Sequence, residues 1–225
     1  MTTIARAPWG LPVEPVIAID GQAGSGKSTV AGLIGSHFDL PVLNTGLYFR
    51  AATVWLTRLG GERARSVLRD DDPLGGISIG VEGEVAYLEG EELTDELRSD
   101  EVMALLPTVS AHPGVRHTLL GMQRAWVKEK GPVVVEGRDI GTVVFPRAFF
   151  KAFLVASDEA RVARRPAEGV ALLVRDSRDA TRAHAPSVAA EDAIVIDTTN
   201  LSVEDVLEEM VGLVEYRIFE LTAPR

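Results

Sequence analysis

The stretch that decides the fold is Gly21-Gln22-Ala23-Gly24-Ser25-Gly26-Lys27-Ser28. It matches the phosphate-binding loop pattern, in which glycines, a lysine and a serine or threonine occupy fixed positions. The apolar segment 16–19 before it predicts a buried parallel strand, and segment 27–37 after it predicts a helix. Because strand, glycine turn and helix follow in the order that the pattern requires, we predict a nucleoside triphosphate site within an α/β fold.

The residues of this loop predict specific contacts with a triphosphate. Glycines let the backbone curl until its N–H groups meet phosphate oxygens, and the N-terminus of the next helix adds positive potential. Lys27 is expected to reach the β- and γ-phosphates, and Ser28 to ligate Mg²⁺. The predicted ATP-binding residues of this region are Gly21, Gln22, Ala23, Gly24, Ser25, Gly26, Lys27, Ser28 and Thr29. The pattern alone does not separate a kinase from a GTPase, an ATPase or a switch.

The composition excludes several other kinds of site and partner. The 225 residues include no cysteine, which excludes disulfides, thiolate metal sites and cysteine nucleophiles. The 4 histidines show no spacing typical of metal ligands. The formal net charge of -10 argues against a nucleic-acid polymer as partner. No apolar stretch is long enough to span a bilayer and no secretory signal is evident, so we expect a cytoplasmic protein without membrane partners.

Further strands and helices are predicted along the chain. Apolar runs rich in β-branched residues predict strands at 41–43, 132–136, 149–155 and 193–197. Helices are expected to begin at Thr45 and after Ser202, whose hydroxyl would cap the last helix. This alternation predicts a five-stranded parallel sheet covered by helices. Residues 1–15 are expected to be a disordered lead-in, and residues 16–225 a single domain.

Segment 60–131 differs from the rest of the chain in its pattern of apolar and polar residues, and it is predicted to form an inserted α+β lobe. Alternating apolar and polar residues at 77–81 and 85–88 predict an antiparallel hairpin. Thr94 and Pro113 are each expected to begin a helix.

Clustered arginines indicate what accepts the phosphate. Two groups stand out: Arg161, Arg164 and Arg165, and Arg175, Arg178 and Arg182. Codon bias can account for an overall excess of arginine over lysine, but not for the clustering. Planar guanidinium groups suit phosphate recognition, and an enzyme with two anionic substrates needs several of them at one point. No guanine-reading Asn-Lys-x-Asp segment is present, which argues against a GTPase and favours a kinase.

Five further blocks carry a family resemblance. They are 43–50 (LNTGLYFR), 97–102 (LRSDEV), 113–116 (PGVR), 136–146 (EGRDIGTVVFP) and 175–182 (RDSRDATR). In these blocks the chain resembles the bacterial cytidylate kinases, which are nucleoside monophosphate kinases, over nearly its whole length. The resemblance implies a P-loop kinase fold with an inserted monophosphate-binding lobe. It also implies that ATP is the phosphate donor, with Mg²⁺, and that CMP or dCMP is the acceptor. We expect the protein to be a monomer.

The same resemblance implies roles for residues outside the phosphate loop. Thr45, Arg50 and Arg138 would hold the acceptor phosphate. Asp139 would accept a hydrogen bond from the amine of cytosine, and Arg116 would donate to the oxygen and ring nitrogen of the base. Uracil presents the opposite donors and acceptors at these positions, so this pairing would select cytosine.

Further residues are implied in contacts with the ribose and the phosphates. Arg175 and Asp179 would contact the ribose, and Arg182 would bridge towards the transferring phosphate. Arg161 and Arg164 would contact ATP from the start of a mobile lid. The implied catalytic residues are Lys27, Arg138 and Arg182.

The chain departs from the family pattern at three places. Pro107 stands where the family usually has a serine that helps to read cytosine, so that contact must be lost or replaced, with Thr108 or Ser110 as candidates. The lid, at about 161–186, is shorter than in the family. Asn44 replaces the usual aspartate.

Several alternatives remain open on sequence grounds. Arg50 can be a solvated surface charge, and Asp139 can pair with Arg138 or cap a turn. Arg98 can pair on the surface, and Asp20 can orient magnesium waters or only close the turn before the loop. The rival functions are a P-loop kinase for another small acceptor, such as UMP, a sugar acid or shikimate, and a non-catalytic ATP-dependent switch.

Overall fold

The structure, a computed structural model, describes residues 13–223. Most of the expected lead-in, residues 1–12, lies outside the described residues. Glu14 and Pro15, assigned to that lead-in from sequence, belong instead to the first strand, β1 (Glu14–Gly21). The Glu14 N–H donates to the Arg147 carbonyl at 2.7 Å, and the Glu14 carboxylate accepts from the Arg147 N–H at 2.9 Å. This double contact extends β1 beyond the apolar run that predicted it.

The described residues form eight strands and eight α-helices. After β1 the strands are β2 (Val42–Asn44), β3 (Ile79–Glu82), β4 (Val85–Leu88), β5 (Glu91–Leu93), β6 (Val133–Glu136), β7 (Ala148–Val155) and β8 (Ile194–Asp197). The α-helices are α1 (Lys27–Phe38), α2 (Thr45–Leu59), α3 (Gly61–Val67), α4 (Asp100–Ala111), α5 (Pro113–Lys130), α6 (Asp158–Arg164), α7 (Val170–Ala180) and α8 (Val203–Thr222).

The chain forms two compact units, the first running up to Val42 and again from Lys130, the second spanning Leu43–Glu129. A five-stranded sheet has the order β2-β6-β1-β7-β8. β1 pairs in parallel with β6 and with β7, and β7 pairs in parallel with β8. The predicted five-stranded α/β sheet is therefore confirmed.

The core of the first unit lies between this sheet and its flanking helices. Ile17 and Ile19 of β1 are fully buried, together with Ile34 of α1 and Met210 of α8. A strand covered on both faces needs apolar residues at successive positions, which is why β1 reads as a continuous apolar run. Removal of this apolar surface from water supplies the main driving force for folding.

The last helix, α8, begins where the sequence predicted. Ser202 Oγ accepts from the Asp205 N–H at 3.1 Å, and the Asp205 carboxylate accepts from the Ser202 N–H at 3.0 Å. This reciprocal capping box satisfies N–H groups that the first turn leaves without helical partners. Within residues 13–223, neither α8 nor any other helix combines the length and apolar character needed to cross a bilayer.

The second unit contains most of the segment predicted as an inserted lobe, together with α2. Strands β3 and β4 form the predicted antiparallel hairpin, with Val81 opposite Ala86. A third strand, β5, pairs with β4 and was not predicted, because it is short and carries Glu91 and Glu92 in place of an apolar alternation. The Trp126 indole on α5 donates to the Val81 carbonyl at 3.0 Å, which ties α5 to the hairpin.

The prediction of one continuous helix that starts at Thr94 is wrong. A short 3₁₀ turn covers Asp95–Arg98, the backbone of Ser99 is extended (φ -60°, ψ 153°), and α4 starts at Asp100. Ser99 Oγ accepts from the Val102 N–H at 3.4 Å, so it caps α4. The serine offers the backbone a cap in place of a helical bond, and this splits the predicted helix in two.

Two glycines in α1 provide a test of this packing. A methyl group added at Gly35 would lie 2.3 Å from Val42 Cγ2 and 2.9 Å from the Leu40 carbonyl oxygen, whereas one added at Gly32 would meet nothing within 4 Å. We expect Gly35→Ala to lower the free energy of unfolding by roughly 1–3 kcal/mol. We expect Gly32→Ala to raise it by up to about 1 kcal/mol, since alanine favours the helix. Urea denaturation of both variants checks this, and equal effects of the two changes would contradict the packing described.

Candidate active site

The phosphate loop joins β1 to α1, as predicted. Gly21 has φ +144°, and a methyl group there would lie 2.1 Å from the Leu154 carbonyl oxygen, so only glycine fits. Gly24 and Gly26 have φ +75° and +95°, in the region that glycine tolerates best. Gly26 is also the N-cap of α1 and brings no capping side chain. The first N–H groups of α1 therefore keep their capacity to bind an anion.

The carbonyl groups of the loop are held by side chains. Five consecutive carbonyls accept hydrogen bonds: Gly21 from Arg138 (3.2 Å), Gln22 from Lys27 (2.7 Å), Ala23 from Arg161 (3.3 Å), Gly24 from Arg164 (3.4 Å) and Ser25 from Thr198 (3.0 Å). Three of these donors are arginines, one is a lysine and one is a threonine. The loop conformation is thus fixed by charged groups that also make its surroundings attractive to phosphate.

These donors come from the carboxyl ends of neighbouring strands. Arg138 follows β6, Arg161 and Arg164 lie on α6 just after β7, and Thr198 follows β8. In an open parallel sheet the carboxyl ends of the strands form the ligand crevice. The order of strands around β1 therefore explains how residues far apart in sequence reach the same loop.

Lys27 and Ser28 lie where the motif requires. Lys27 is buried, and burial, reinforced by the charge of Arg138, lowers the pKa of its ammonium group to about 7. Ser28 Oγ donates to Glu136 Oε1 at 2.8 Å, and Glu136 is the last residue of β6. A hydroxyl beside a carboxylate is an oxygen donor set that suits Mg²⁺ arriving with nucleotide phosphates. Among residues 13–223 no cluster of three histidine or acidic side chains could hold a metal by itself.

Asp20 closes the turn that follows β6. Its carboxylate accepts from the N–H groups of Ile140 and Gly141 at 2.8 and 2.7 Å, where a π-helical turn (Ile140–Val144) begins. Burial raises the pKa of Asp20 to about 6, although these two hydrogen bonds oppose the change. Asp20 thus does close a turn, but it is the turn after β6 and not the glycine turn that follows Asp20 in the chain. Asp139, also buried, begins the same turn, and its charge contributes to raising that pKa.

Arg138 joins a network of partly buried charges. Its Nη1 lies 2.5 Å from Asp176 Oδ1, and its Nε lies 3.7 Å from Asp179 Oδ2. Asp176 also forms an ion pair with Arg161 and accepts from the Ala23 N–H at 2.9 Å. Sequence reasoning quoted Asp176 only as part of a block, because its contacts lie far away in sequence.

Arg175 and Arg182 belong to the same region. Arg175 Nη2 lies 3.1 Å from Glu168 Oε2, and burial, with the charge of Arg138 next in importance, lowers the pKa of Arg175. Its Nε is buried and meets no hydrogen-bond acceptor in the described part of the chain. Arg182 Nε donates to the Asp179 carbonyl at 3.3 Å. The buried Nε of Arg175 is a donor that an incoming oxygen could satisfy.

The second unit holds three of the predicted acceptor residues. Thr45 is buried at the start of α2, where Asn44 accepts from the Gly46 N–H at 3.1 Å. The asparagine that departs from the family pattern thus still caps α2. Arg50 is half-buried, and its Nη1 donates to the Leu97 carbonyl at 3.4 Å, so it is not simply a solvated surface charge.

Arg116 is positioned within the second unit by two contacts. Its Nη1 donates to the Ser110 carbonyl at 3.0 Å, and its guanidinium lies 5.3 Å from the centre of the Phe49 ring. Ser110 Oγ in turn donates to the Pro107 carbonyl at 3.2 Å. Thr108, the other candidate to replace the missing serine, is exposed. The helical turn around Pro107 therefore shapes the position of Arg116.

The structure brings one group of predicted residues together within the first unit. They are Lys27, Arg138, Arg161, Arg164, Arg175, Asp179 and Arg182. Thr45, Arg50 and Arg116 lie in the second unit. The sequence analysis did not predict Asp176, Glu136 or Thr198 as site residues. Of these, only Asp176 could have been found from the sequence, because it lies three positions before Asp179 and therefore on the same face of α7.

A comparison with known families decides the assignment. The sequence model of the cytidylate kinase family matches residues 17–216. The chain belongs to the cytidylate kinase family. The predicted family resemblance is thereby confirmed over nearly the whole chain.

Cytidylate kinases from three bacteria are similar to this chain. The protein from Rhodococcus opacus is 36% identical over 223 residues, covering 90% of this chain and 95% of the relative. The cytidylate kinase of Thermotoga maritima is 40% identical over 215 residues, covering 90% and 97%. That of Pseudomonas aeruginosa is 41% identical over 215 residues, covering 88% and 93%.

The raised pKa of Asp20 predicts a pH dependence of stability. A carboxyl group whose pKa is about 6 in the folded protein and 3.8 when unfolded contributes stability that is complete below pH 4 and is lost as the pH rises through 6. We expect the free energy of unfolding of the unmutated protein, relative to Asp20→Asn, to fall by about 3 kcal/mol across this window. Urea denaturation at several pH values between 4 and 7.5 measures the difference. A difference that is constant with pH would contradict the raised pKa.

Proposed function

We propose that this chain transfers the γ-phosphate of ATP to CMP or dCMP, giving ADP and CDP or dCDP. The observation that carries the proposal is the phosphate loop with Arg138, Arg161 and Arg164 bound to its carbonyls, in a member of the cytidylate kinase family. The arginines on this loop exceed what a structural glycine turn would need. They supply the positive charge that two phosphorylated substrates require.

ATP binding is assigned to the phosphate loop and the start of α1. The loop amides and Lys27 would bind the β- and γ-phosphates. Arg161 and Arg164 would contact ATP as well, since they lie beside the loop and bind the carbonyls of Ala23 and Gly24. Anionic phosphate beside Lys27 favours its charged form, so binding would offset the burial that lowers its pKa.

Mg²⁺ is proposed to enter with the nucleotide. Ser28 Oγ would supply a protein ligand, and Glu136, already bonded to that hydroxyl, would orient it. Because Mg²⁺ commonly takes one or two protein oxygens and fills the rest of its shell with water and phosphate oxygens, these groups suffice. The ion would neutralise negative charge on the bound triphosphate.

The acceptor nucleotide is assigned to the residues that the family resemblance implies. Arg138 and Arg182 would hold the acceptor and transferring phosphates, and Arg175 with Asp179 would contact the ribose. The buried Nε of Arg175 supports this role, because a hydroxyl oxygen could satisfy it. Thr45 and Arg50 are proposed to bind the acceptor phosphate as well.

Base recognition is assigned to Arg116 and Asp139. Arg116 is held against the Phe49 ring and the Ser110 carbonyl, and its planar guanidinium is a donor of the kind that the oxygen and ring nitrogen of cytosine would accept. Asp139 is buried, so that a hydrogen bond from the cytosine amine would be formed away from water. Since Pro107 brings no hydroxyl, we expect weaker rejection of UMP than a serine at that position would give.

The chemistry would be direct in-line transfer without a covalent enzyme intermediate. An oxygen of the acceptor phosphate is already anionic, so it attacks the γ-phosphorus while the bond to the β–γ bridging oxygen breaks, and no general base is needed. Catalysis would come from positioning and from charge stabilisation by Lys27, Arg138 and Arg182. All of the groups named for the reaction lie on one chain, so we propose that the protein is a monomer. Because its proposed substrates are cytoplasmic nucleotides, we also propose that it is cytoplasmic.

An acceptor panel tests the proposed function. Purified protein is assayed with ATP and Mg²⁺ against CMP, dCMP, UMP and AMP, with ADP production coupled to NADH oxidation. We expect CMP and dCMP to give the highest kcat/KM, because Asp139 and Arg116 match the donors and acceptors of cytosine. Failure of CMP, dCMP and UMP together would refute the proposed function, and a preference for UMP would refute the roles given to Arg116 and Asp139.

Lys27→Ala serves as the control for this panel. We expect turnover with CMP to fall by roughly 10³-fold or more, since the lysine stabilises charge on the transferring group. The fold should be retained, because burial disfavours the lysine charge in the unliganded protein. Circular dichroism checks the fold, and near-normal turnover in a folded variant would contradict the role of Lys27.

A further inference from the structure

Asp176 occupies an unusual position for a carboxylate. It lies on α7, within the first unit, and its side chain is only 11% exposed. Both of its oxygens lie within hydrogen-bond distance of the Ala23 N–H in the phosphate loop, at 3.1 and 2.9 Å. An acidic side chain therefore binds a backbone amide of the loop that is built to bind anions.

The other partners of Asp176 are also phosphate-binding groups. Arg138 Nη1 lies 2.5 Å from Oδ1, and Arg161 Nη1 forms an ion pair with Oδ2. The same two arginines hold the carbonyls of Gly21 and Ala23. Guanidinium groups and loop amides together are the donors that recognise phosphate oxygens. The Asp176 carboxylate is thus bound by the same donors that a nucleotide phosphate would use.

A purely structural role does not account for this arrangement. Without Asp176, Arg161 would retain Asp158 at 2.6 Å, and Arg138 would retain Asp179 at 3.7 Å. Both arginines would also keep their bonds to loop carbonyls. The two arginines could be paired without the contact between the Asp176 carboxylate and the Ala23 N–H.

We propose that the Asp176 carboxylate takes the place of a phosphate group in the unliganded site and competes with nucleotide phosphate for Arg138, Arg161 and the Ala23 N–H. The inference rests on the proposed function only in requiring that a nucleotide binds this loop. Asp176 positions the arginines before binding, and its displacement lowers the affinity for the nucleotide. It is thus a positioning residue that the incoming phosphate replaces.

The competition is tested by whether the affinity for MgATP rises or falls when Asp176 loses its charge. Asp176→Asn keeps the shape of the side chain and removes its charge. We expect MgATP, titrated by calorimetry without acceptor, to bind this variant roughly fivefold or more tightly than the unmutated protein. We also expect a lower Tm for the ligand-free variant, because two arginines lose a partner.

Asp158→Asn is the matched control. It removes the same charge from a carboxylate that also pairs with Arg161, but Asp158 is 63% exposed and has no bond to the phosphate loop in the described residues. We expect its MgATP affinity to stay within about twofold of the unmutated protein. Equal tightening in both variants would mean a general charge effect and would overturn the competition.

Unchanged or weaker MgATP binding by a folded Asp176→Asn variant would overturn the proposal, since a scaffold residue gives that result. The unmutated protein supplies a second measurement that needs no variant. The side-chain carboxyl ¹³C signal of Asp176 should shift on saturation with MgATP, and an unchanged signal would also overturn it. Absence of MgATP binding by the unmutated protein would defeat both proposals. Tighter binding in the variant with no turnover of any pyrimidine monophosphate would defeat only the proposed function.

Discussion

The rest of the site depends on the backbone carbonyls of the phosphate loop being bound by side chains. Carbonyls from Gly21 to Ser25 each accept from a side-chain donor, and four of those donors are basic side chains. A glycine-rich loop would lose much backbone entropy on adopting one shape, so it needs such contacts to remain ordered. The same contacts place positive charge around the loop. Loop geometry and phosphate affinity therefore have one physical origin.

Charge balance explains why so many cations can be buried together. The chain as a whole is acidic, with a net charge of -10. Asp176 and Asp179 sit among the arginines at the loop, and Glu136 sits beside Ser28. Buried guanidinium groups without such partners would carry a large desolvation penalty. The carboxylates make the unliganded site stable, and under the proposed function nucleotide phosphates would meet arginines that are already arranged.

The sequence predicted the parts of the fold that depend on local patterns, and the parts that depend on distant pairing were missed. β1, α1 and the hairpin of β3 and β4 follow from apolar periodicity and turn residues, and Ser202 was predicted as a cap. β5 carries no apolar alternation, and its pairing with β4 is what makes it a strand. The break at Ser99 depended on whether its hydroxyl caps a helix or faces solvent.

A crystal structure of the unmutated protein with ADP, CMP and Mg²⁺ tests the central claim most directly. We expect the β-phosphate of ADP to accept hydrogen bonds from the loop amides and Lys27, while the CMP phosphate lies within hydrogen-bond distance of Arg138 and Arg182. The loop carbonyls should keep their side-chain donors. A CMP phosphate bound away from both arginines, or ADP bound without contact to the loop, would contradict the claim that this cationic frame forms the site of phosphoryl transfer.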